Sequence, residues 1–468
     1  MTVNRSSRTT GTTATKSPSA STGSSACPSP TETAAHPGPV APAAPRKPVP
    51  VPDAPPASGP GPAITRWLGA FAASLVGDQM WFLALAWSAA ETAGPTGAGI
   101  VVTLGTVPRA LLMLLGGSIA DRFGARRVVI GSVLVRFAVM AFAAAAVALA
   151  APGVALLAAI ALVFGAVDAL FMPAIGALPP TLTMPEHYAR VQGLRSLMTR
   201  LSAIAGAPAA GLVLANGGVA AAFAASAGLF AFSFLLLWRL RPVPAAVAAA
   251  DAKDGGVPPG DGSIREGLRY VRSVPLLTWV IAVGIISELG FSAPMNLGLV
   301  LLSGDRGWGP GGVGLMLGAW GAGAVATGLV LSVRGHVPHA GRVMTAALGL
   351  GAVGMGVMGL APTLPVAMAG AAVLGLGSGF WGGLSAALIQ TTAARSMLGR
   401  VVALQMLGAV GLVPVTYPLA GLLSDTAGPA ALFAVGTGLQ ALACAVALCC
   451  APLRTALLER PGRAERAS

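Results

Sequence analysis

Six ionisable side chains interrupt stretches of sequence that are otherwise almost wholly apolar: Asp78, Arg109, Arg136, Asp168, Arg200 and Glu288. Charge is costly in such surroundings, so residues of this kind either pair with one another or do functional work. The chemistry open to them is proton transfer. A carboxylate beside an arginine stays ionised, whereas a carboxyl group without such a partner in an apolar setting can take up and release a proton. Asp78 and Arg109 each lie more than two turns inside their stretches, entered from opposite ends, so they could meet at mid-depth. Asp168 has Arg136 or Arg200 as prospective partners, while Glu288 has no basic residue at its depth in the second half of the chain. Glu288 is therefore the first candidate proton carrier, followed by Asp78 and Asp168, with Arg109 the base beside them. The competing reading makes Asp78–Arg109 and Asp168–Arg136, or Asp168–Arg200, structural pairs.

Helical spacing surrounds these acids with bulky apolar side chains. Trp81 and Phe82 accompany Asp78, Phe171 and Met172 accompany Asp168, and Phe291, Ser292, Met295 and Asn296 accompany Glu288. Such a lining suits a large apolar solute, cationic ones included. The same spacing also arises from ordinary helix packing.

The elements that must position these residues follow from composition. Of 468 residues, 55% are hydrophobic and only 10% charged, where a soluble domain carries about a quarter. This chain cannot cover a water-facing surface, and the expected fold class is an all-α membrane protein. A helix needs roughly 20 apolar residues to cross a bilayer core of ~30 Å. Twelve stretches qualify, at 65–90, 99–120, 128–150, 154–178, 191–215, 218–239, 276–302, 312–333, 343–361, 364–390, 401–423 and 429–451. Arginines gather at one set of connections, including Arg122, Arg126, Arg127, Arg190, Arg239, Arg334, Arg342 and Arg400, whereas Arg306 stands alone on the other side. Both termini are thus expected in the cytoplasm, with the chain in the cell membrane.

Residues 1–62 are rich in Pro, Ser, Thr and Ala and are expected to be a disordered cytoplasmic tail. No signal peptide is expected in them, and a misassigned start codon is an alternative origin for the tail. Residues 63–241 form the first six-helix unit, 242–275 a cytoplasmic linker, 276–452 the second unit and 453–468 a short tail. Within the linker, Ser263 and Glu266 make a capping box for an amphipathic helix whose face holds Ile264, Leu268 and Val271.

Several function classes drop out. The net charge of +13 comes almost entirely from arginines beside apolar ends, with no basic run interleaved with aromatics, so no nucleic-acid partner is expected. There is no phosphate-binding G-x-x-x-x-G-K-[ST] motif for ATP and no nucleophile–base arrangement for an enzyme. Cys444, Cys449 and Cys450 read as small buried hydrophobes, and His336 and His339 as ordinary loop residues, so neither a metal nor a cofactor is expected.

The two halves repeat. An offset of 210 residues aligns "RVQGLRSL" at Arg190 with "RVVALQML" at Arg400 and "PAAGL" at Pro208 with "PLAGL" at Pro418. Six helices repeated in one orientation imply two pseudo-symmetric bundles with a site between them. After the second stretch comes "GSIADRFGARR", Gly117 to Arg127, which puts four charges into seven residues. This Gly-x-x-x-Asp-Arg-x-Gly-x-Arg-Arg pattern, with the twelve-stretch organisation, resembles the major facilitator superfamily over roughly residues 65–452. Within it, "LVGDQMWFLALAW" from Leu75 and the segment Gly399–Asp425 look like the macrolide-efflux or transmembrane secretion effector branch.

The resemblance implies a conformational latch made by Gly117, Asp121, Arg122, Gly124, Arg126 and Arg127. Gly117 would allow close packing on the other half, and Asp121 would meet the N-terminal end of the eleventh helix near Gly399–Arg400. The corresponding place in the second half, ending at Arg334, has no acid, so the latch should be one-sided. "AIAGAPAAGL", Ala203 to Leu212, is similar to an antiporter motif at Pro208 and Gly211 but lacks other glycines of it; the plain reading is a kinked, close-packed helix. The expected function is a monomeric, proton-coupled exporter of hydrophobic small molecules in the lipid bilayer. Two rivals fit the same residues: an importer or siderophore-type exporter on the same fold, and a membrane sensor or scaffold that transports nothing.

Overall fold

The computed structural model describes residues 61–150, 153–184, 187–240, 264–334, 337, 339–394 and 397–457. The N-terminal tail, most of the linker spacer, the capping residue Ser263 and His336 lie outside the described residues. So do the side chains of Gly117, Asp121 and Ile264.

Among the described residues, ten helices are long and apolar enough to cross a membrane. Prolines in first turns start several of them, where the missing N–H costs nothing. Helix α1 (Pro62–Phe123) leaves helical geometry at Gly94, with φ of 67°. After α2 (Ala125–Leu149) and α3 (Val154–Gly176), α4 (Tyr188–Trp238) breaks in the same way at Gly218, with φ of 71°. Only glycine adopts such angles without strain. Each of these two long helices thus holds two apolar stretches joined by a tight turn, and the ten helices are consistent with the twelve crossing segments that composition predicts.

The linker contributes the short helix α5 (Ile264–Ser273). The second half then contains α6 (Pro275–Ala293), which continues through a π-helical turn at Pro294–Gly298 and Leu299–Asp305. It goes on with α7 (Gly309–Arg334), α8 (Ala340–Leu360), α9 (Leu364–Thr392), α10 (Leu398–Gly411), α11 (Val413–Ala427) and α12 (Pro429–Cys449). Helices α1 to α4 pack on one another as one bundle and α6 to α12 as another, with α1 meeting α11 and α4 meeting α7 between them.

Inside a bilayer the hydrophobic effect cannot draw helices together, so close packing of small residues must. In α9, a Cβ on Gly375 would overlap the carbonyl oxygen of Trp320 in α7, and one on Gly379 would crowd Ala324 and Thr327. Gly354 of α8 meets Gly370 and Leu374 of α9 backbone to backbone. Helix α9 is therefore clamped between two neighbours.

Helix α5 docks on α10 through Gly267 and part of the apolar face its sequence suggests. Gly267 sits against Arg400 and Leu404 of α10, Val271 is buried, and Leu268 is exposed. The Tyr270 hydroxyl accepts a hydrogen bond from the Ala394 N–H at 2.9 Å, and Glu266 pairs with Arg400 at 3.2 Å. These contacts tie α5 to α10 and to the turn before it.

Gly375→Val should lower the melting midpoint of the detergent-purified protein by several degrees, because overpacking a tight contact costs ~1–3 kcal/mol. Gly131→Ala, in open space on α2, should leave it unchanged.

Candidate functional site

The acids of the first half are held in one charge cluster. Arg136 of α2 is fully buried, and its Nη2 lies 2.8 Å from Oδ1 of Asp78 and in contact with Oδ1 of Asp168. Nε of Arg109 lies 3.1 Å from Oδ2 of Asp168. In place of the Asp78–Arg109 pair, Arg136 engages both Asp78 and Asp168, the latter as one of the pairs the sequence offered, and Arg109 also meets Asp168. Two carboxylates and two guanidinium groups balance within this cluster. The rings of Phe164, Phe171 and Phe230 surround the Arg136 guanidinium with centroids 4.9, 4.4 and 4.9 Å from Cζ. Nε and Nη1 of Arg136 have no hydrogen-bond partner, so the ring faces are what they meet. Hydroxyls complete this core: Ser226 donates to the Gly77 carbonyl, and Ser74 meets Ser233, each at 2.9 Å.

Two adjoining cavities lie apart from this cluster, and none of its four residues lines them. One, of about 330 Å³, is lined from the first half by Leu75, Gln79, Phe82 and Ala203 and from the second by Met295, Asn296 and Leu317. The other, of about 380 Å³, belongs mostly to the second half and contains Glu288, Ser287, Gln440 and Trp381, with Arg200 reaching in from the first. Phe291 and Trp320 line both, their ring centroids 5.7 Å apart. The volumes fall at the lower end of small-molecule sites, about 300–1,000 Å³.

Glu288 lines the larger cavity and forms no ion pair among the described residues. Arg200, a prospective partner of Asp168 by sequence, instead reaches this cavity and touches Gly328. Phe82, Phe291, Met295 and Asn296 line the cavities as their spacing suggests. Trp81, Phe171, Met172 and Ser292 do not. Trp81 stacks on Phe164 with centroids 4.0 Å apart, Phe171 caps Arg136, and Met172 packs on the core. Ser292 is buried with its hydroxyl 3.5 Å from that of Tyr417. Trp81 and Ser292 share a helix with cavity residues but point off that face, and α3, which carries Phe171 and Met172, lines neither cavity.

Residues that spacing did not single out complete the site. Gln440 accepts from the Ser287 hydroxyl at 2.9 Å and donates to the Ser287 carbonyl. Trp320 donates from Nε1 to the Ser378 hydroxyl at 3.1 Å, which fixes its ring between the cavities. A lone amide in an apolar helix was the available signal for Gln440.

The tight approaches between the bundles gather at the end away from the termini. A Cβ on Gly99 would overlap the carbonyl of Tyr417, and one on Gly421 would strike Pro95 and Thr96. Pro208 and Gly211 form the second seam, against Pro310, Gly314 and Gly318 of α7. Toward the opposite end, Gly193 and Gly399 have open space where a Cβ would stand, and Met406 and Leu407 are exposed. In the charged turn between α1 and α2, Gly124 adopts a φ of 85°. Arg126 donates to the carbonyls of Trp238 and Leu240, each at 3.1 Å, neutralising the C-terminal end of α4. Arg122 stacks over Phe123, and Arg127 is exposed.

Arg136→Met should cost about 3–5 kcal/mol, since it strands the Asp78 carboxylate and leaves Asp168 with Arg109 alone. Its melting midpoint in detergent should fall well below that of Glu288→Gln, which breaks no pair.

The sequence profile of the Major Facilitator Superfamily matches residues 67–414. The multidrug efflux pump Tap of Mycobacterium tuberculosis (strain ATCC 25618 / H37Rv) is 30% identical over 371 residues, covering 76% of this chain and 86% of that protein. Its namesake in Mycolicibacterium fortuitum is 29% identical over 368 residues, 76% of this chain and 88% of that one. A bacterial homologue of the iron transporter ferroportin, solved in an inward-facing state, shares the fold with a TM-score of 0.64 at 15% identity, over 82% of this chain and 98% of that one. A D-xylose-proton symporter does so with 0.63 at 14% identity, over 84% and 99%. With two bundles, a cavity between them and a profile match over most of its length, the chain belongs to the Major Facilitator Superfamily and is a multi-pass membrane transporter of small molecules, not an enzyme.

Proposed function

We propose that the protein exports hydrophobic small molecules across the cytoplasmic membrane in exchange for protons, working as a monomer with both termini in the cytoplasm. The observation that carries this reading is Glu288: a carboxyl group without an ion pair among the described residues, lining a cavity shared with Phe291 and Trp320. The relatives named as multidrug efflux pumps support the outward direction. The arginine-rich connections support the orientation, which makes the open end of the cavity the cytoplasmic one.

The residues then have distinct roles. Phe82, Phe291, Met295 and Trp320 hold the apolar body of the solute, while ionised Glu288 attracts a cationic or hydrogen-bonding group. Once the bundles have rocked, a proton arriving from outside neutralises Glu288 and weakens that hold. The protonated cavity returns and releases its proton inside. Asp78, Asp168 and Arg109 are the reserve route for the proton, with both acids already engaged by Arg136. One proton suffices: a charge crossing 100 mV yields ~2.3 kcal/mol and a pH unit adds ~1.4, together roughly a 500-fold gradient of a neutral solute. Gly117 and Asp121 are assigned to a latch that closes the cytoplasmic end in the other state.

Expression in a drug-sensitive host should raise the tolerated concentrations of ethidium and apolar antibiotics, and a proton uncoupler should abolish the gain. Glu288→Gln should remove the gain by itself while the protein still reaches the membrane. Undiminished resistance in Glu288→Gln would end the assignment.

A further inference from the structure

Helix geometry leaves the first N–H groups of every helix without partners, and a carboxylate nearby is the preferred acceptor. The second crossing of α1 begins after the break at Gly94, with Pro95 lacking an N–H and Thr96 supplying the first one. No residue next to it in sequence answers that N–H. The acceptor is Asp425, 329 residues away, at the far end of α11 in the other bundle. Its Oδ2 lies 3.1 Å from the Thr96 nitrogen and also accepts from the Thr96 hydroxyl.

The rest of α11 brings that carboxylate into place. Tyr417, Gly421 and Asp425 are spaced by four and fall on one helix face. Tyr417 and Gly421 meet Gly99, Pro95 and Thr96 backbone to backbone, and Thr103 donates to the Pro414 carbonyl at 3.3 Å. Among the described residues, this is the one carboxylate that hydrogen-bonds from one bundle to the other. It complements the cytoplasmic latch that the sequence suggests. There an acid at the end of the second crossing would face the start of the eleventh; at the opposite end an acid closing the eleventh faces the start of the second.

We propose that Asp425 is a positioning residue for transport: by capping the second crossing from the other bundle, it holds the path closed at the end away from the termini. Opening that end requires the cap to break, so its strength sets how often the cavity turns outward. The inference rests on alternation between the bundles and not on the identity of solute or ion. Its failure is therefore distinguishable from that of proton-coupled export.

The test is chemical accessibility. The native cysteines are replaced by serine, Thr103→Cys is introduced as reporter, and a membrane-impermeant maleimide is applied to reconstituted protein from the side away from the termini. Asp425→Ala should raise the labelling rate about fivefold, the effect of losing one cap, with an unchanged melting midpoint. Asp425→Asn, which keeps an acceptor oxygen, should fall between. Thr96→Val should also raise the rate, and Asp425→Ala with Thr96→Val should exceed neither single change by much. Equal labelling of Asp425→Ala and parent would overturn the proposal, as would effects of the two substitutions that multiply.

Discussion

An ionised side chain in a hydrocarbon interior has to be paired, and that constraint sorts the charges of this protein into two kinds. Asp78, Arg109, Arg136 and Asp168 satisfy it among themselves. Their cluster ties together α1, α2 and α3, and three aromatic rings close around the arginine. Such a cluster adds rigidity to the first bundle more than it adds stability, since desolvation offsets much of the attraction. Glu288 stands apart, in no ion pair among the described residues, on a cavity that Arg200 also reaches. A bundle built around a charge-balanced cluster, next to one with a responsive acid, is an unequal division of labour between two halves that share a repeat.

The second organising constraint is steric. Glycines let backbones touch, and they do so in two settings. Within the second bundle, Gly375, Gly379 and Gly354 lock α9 to its neighbours. Between the bundles, among the described residues, Gly99, Gly421, Gly211 and Gly314 bring backbones together toward one end. A transporter that alternates must make and break the second kind while keeping the first. Bare backbone contacts suit this, because they separate without leaving long side chains unpaired.

How much of this was legible in the sequence depended on the question. The crossings were, because twenty apolar residues between polar turns have few other uses; of the positive-φ turns, Gly94 falls between the first two stretches and Gly218 at the first residue of the sixth. The ionisable residues were also visible as exceptions. Their partners were not. Which acid meets which arginine depends on the rotation of each helix about its own axis, which the spacing of residues along one helix leaves open. The same uncertainty put Phe171 and Ser292 in the expected lining, whereas one caps an arginine and the other faces Tyr417. Asp425 gave no signal at all: at a helix end it resembles any exposed acid, and its partner lies in the other half.

Efflux by this scheme requires that solute and proton compete for one carboxyl group. The most direct measurement is proton release on binding, followed as a pH change when ethidium is added to saturation to the purified protein in weakly buffered detergent solution. The account predicts protons released by the parent protein and none by Glu288→Gln. Equal release from both would contradict it, and would move the proton to another group.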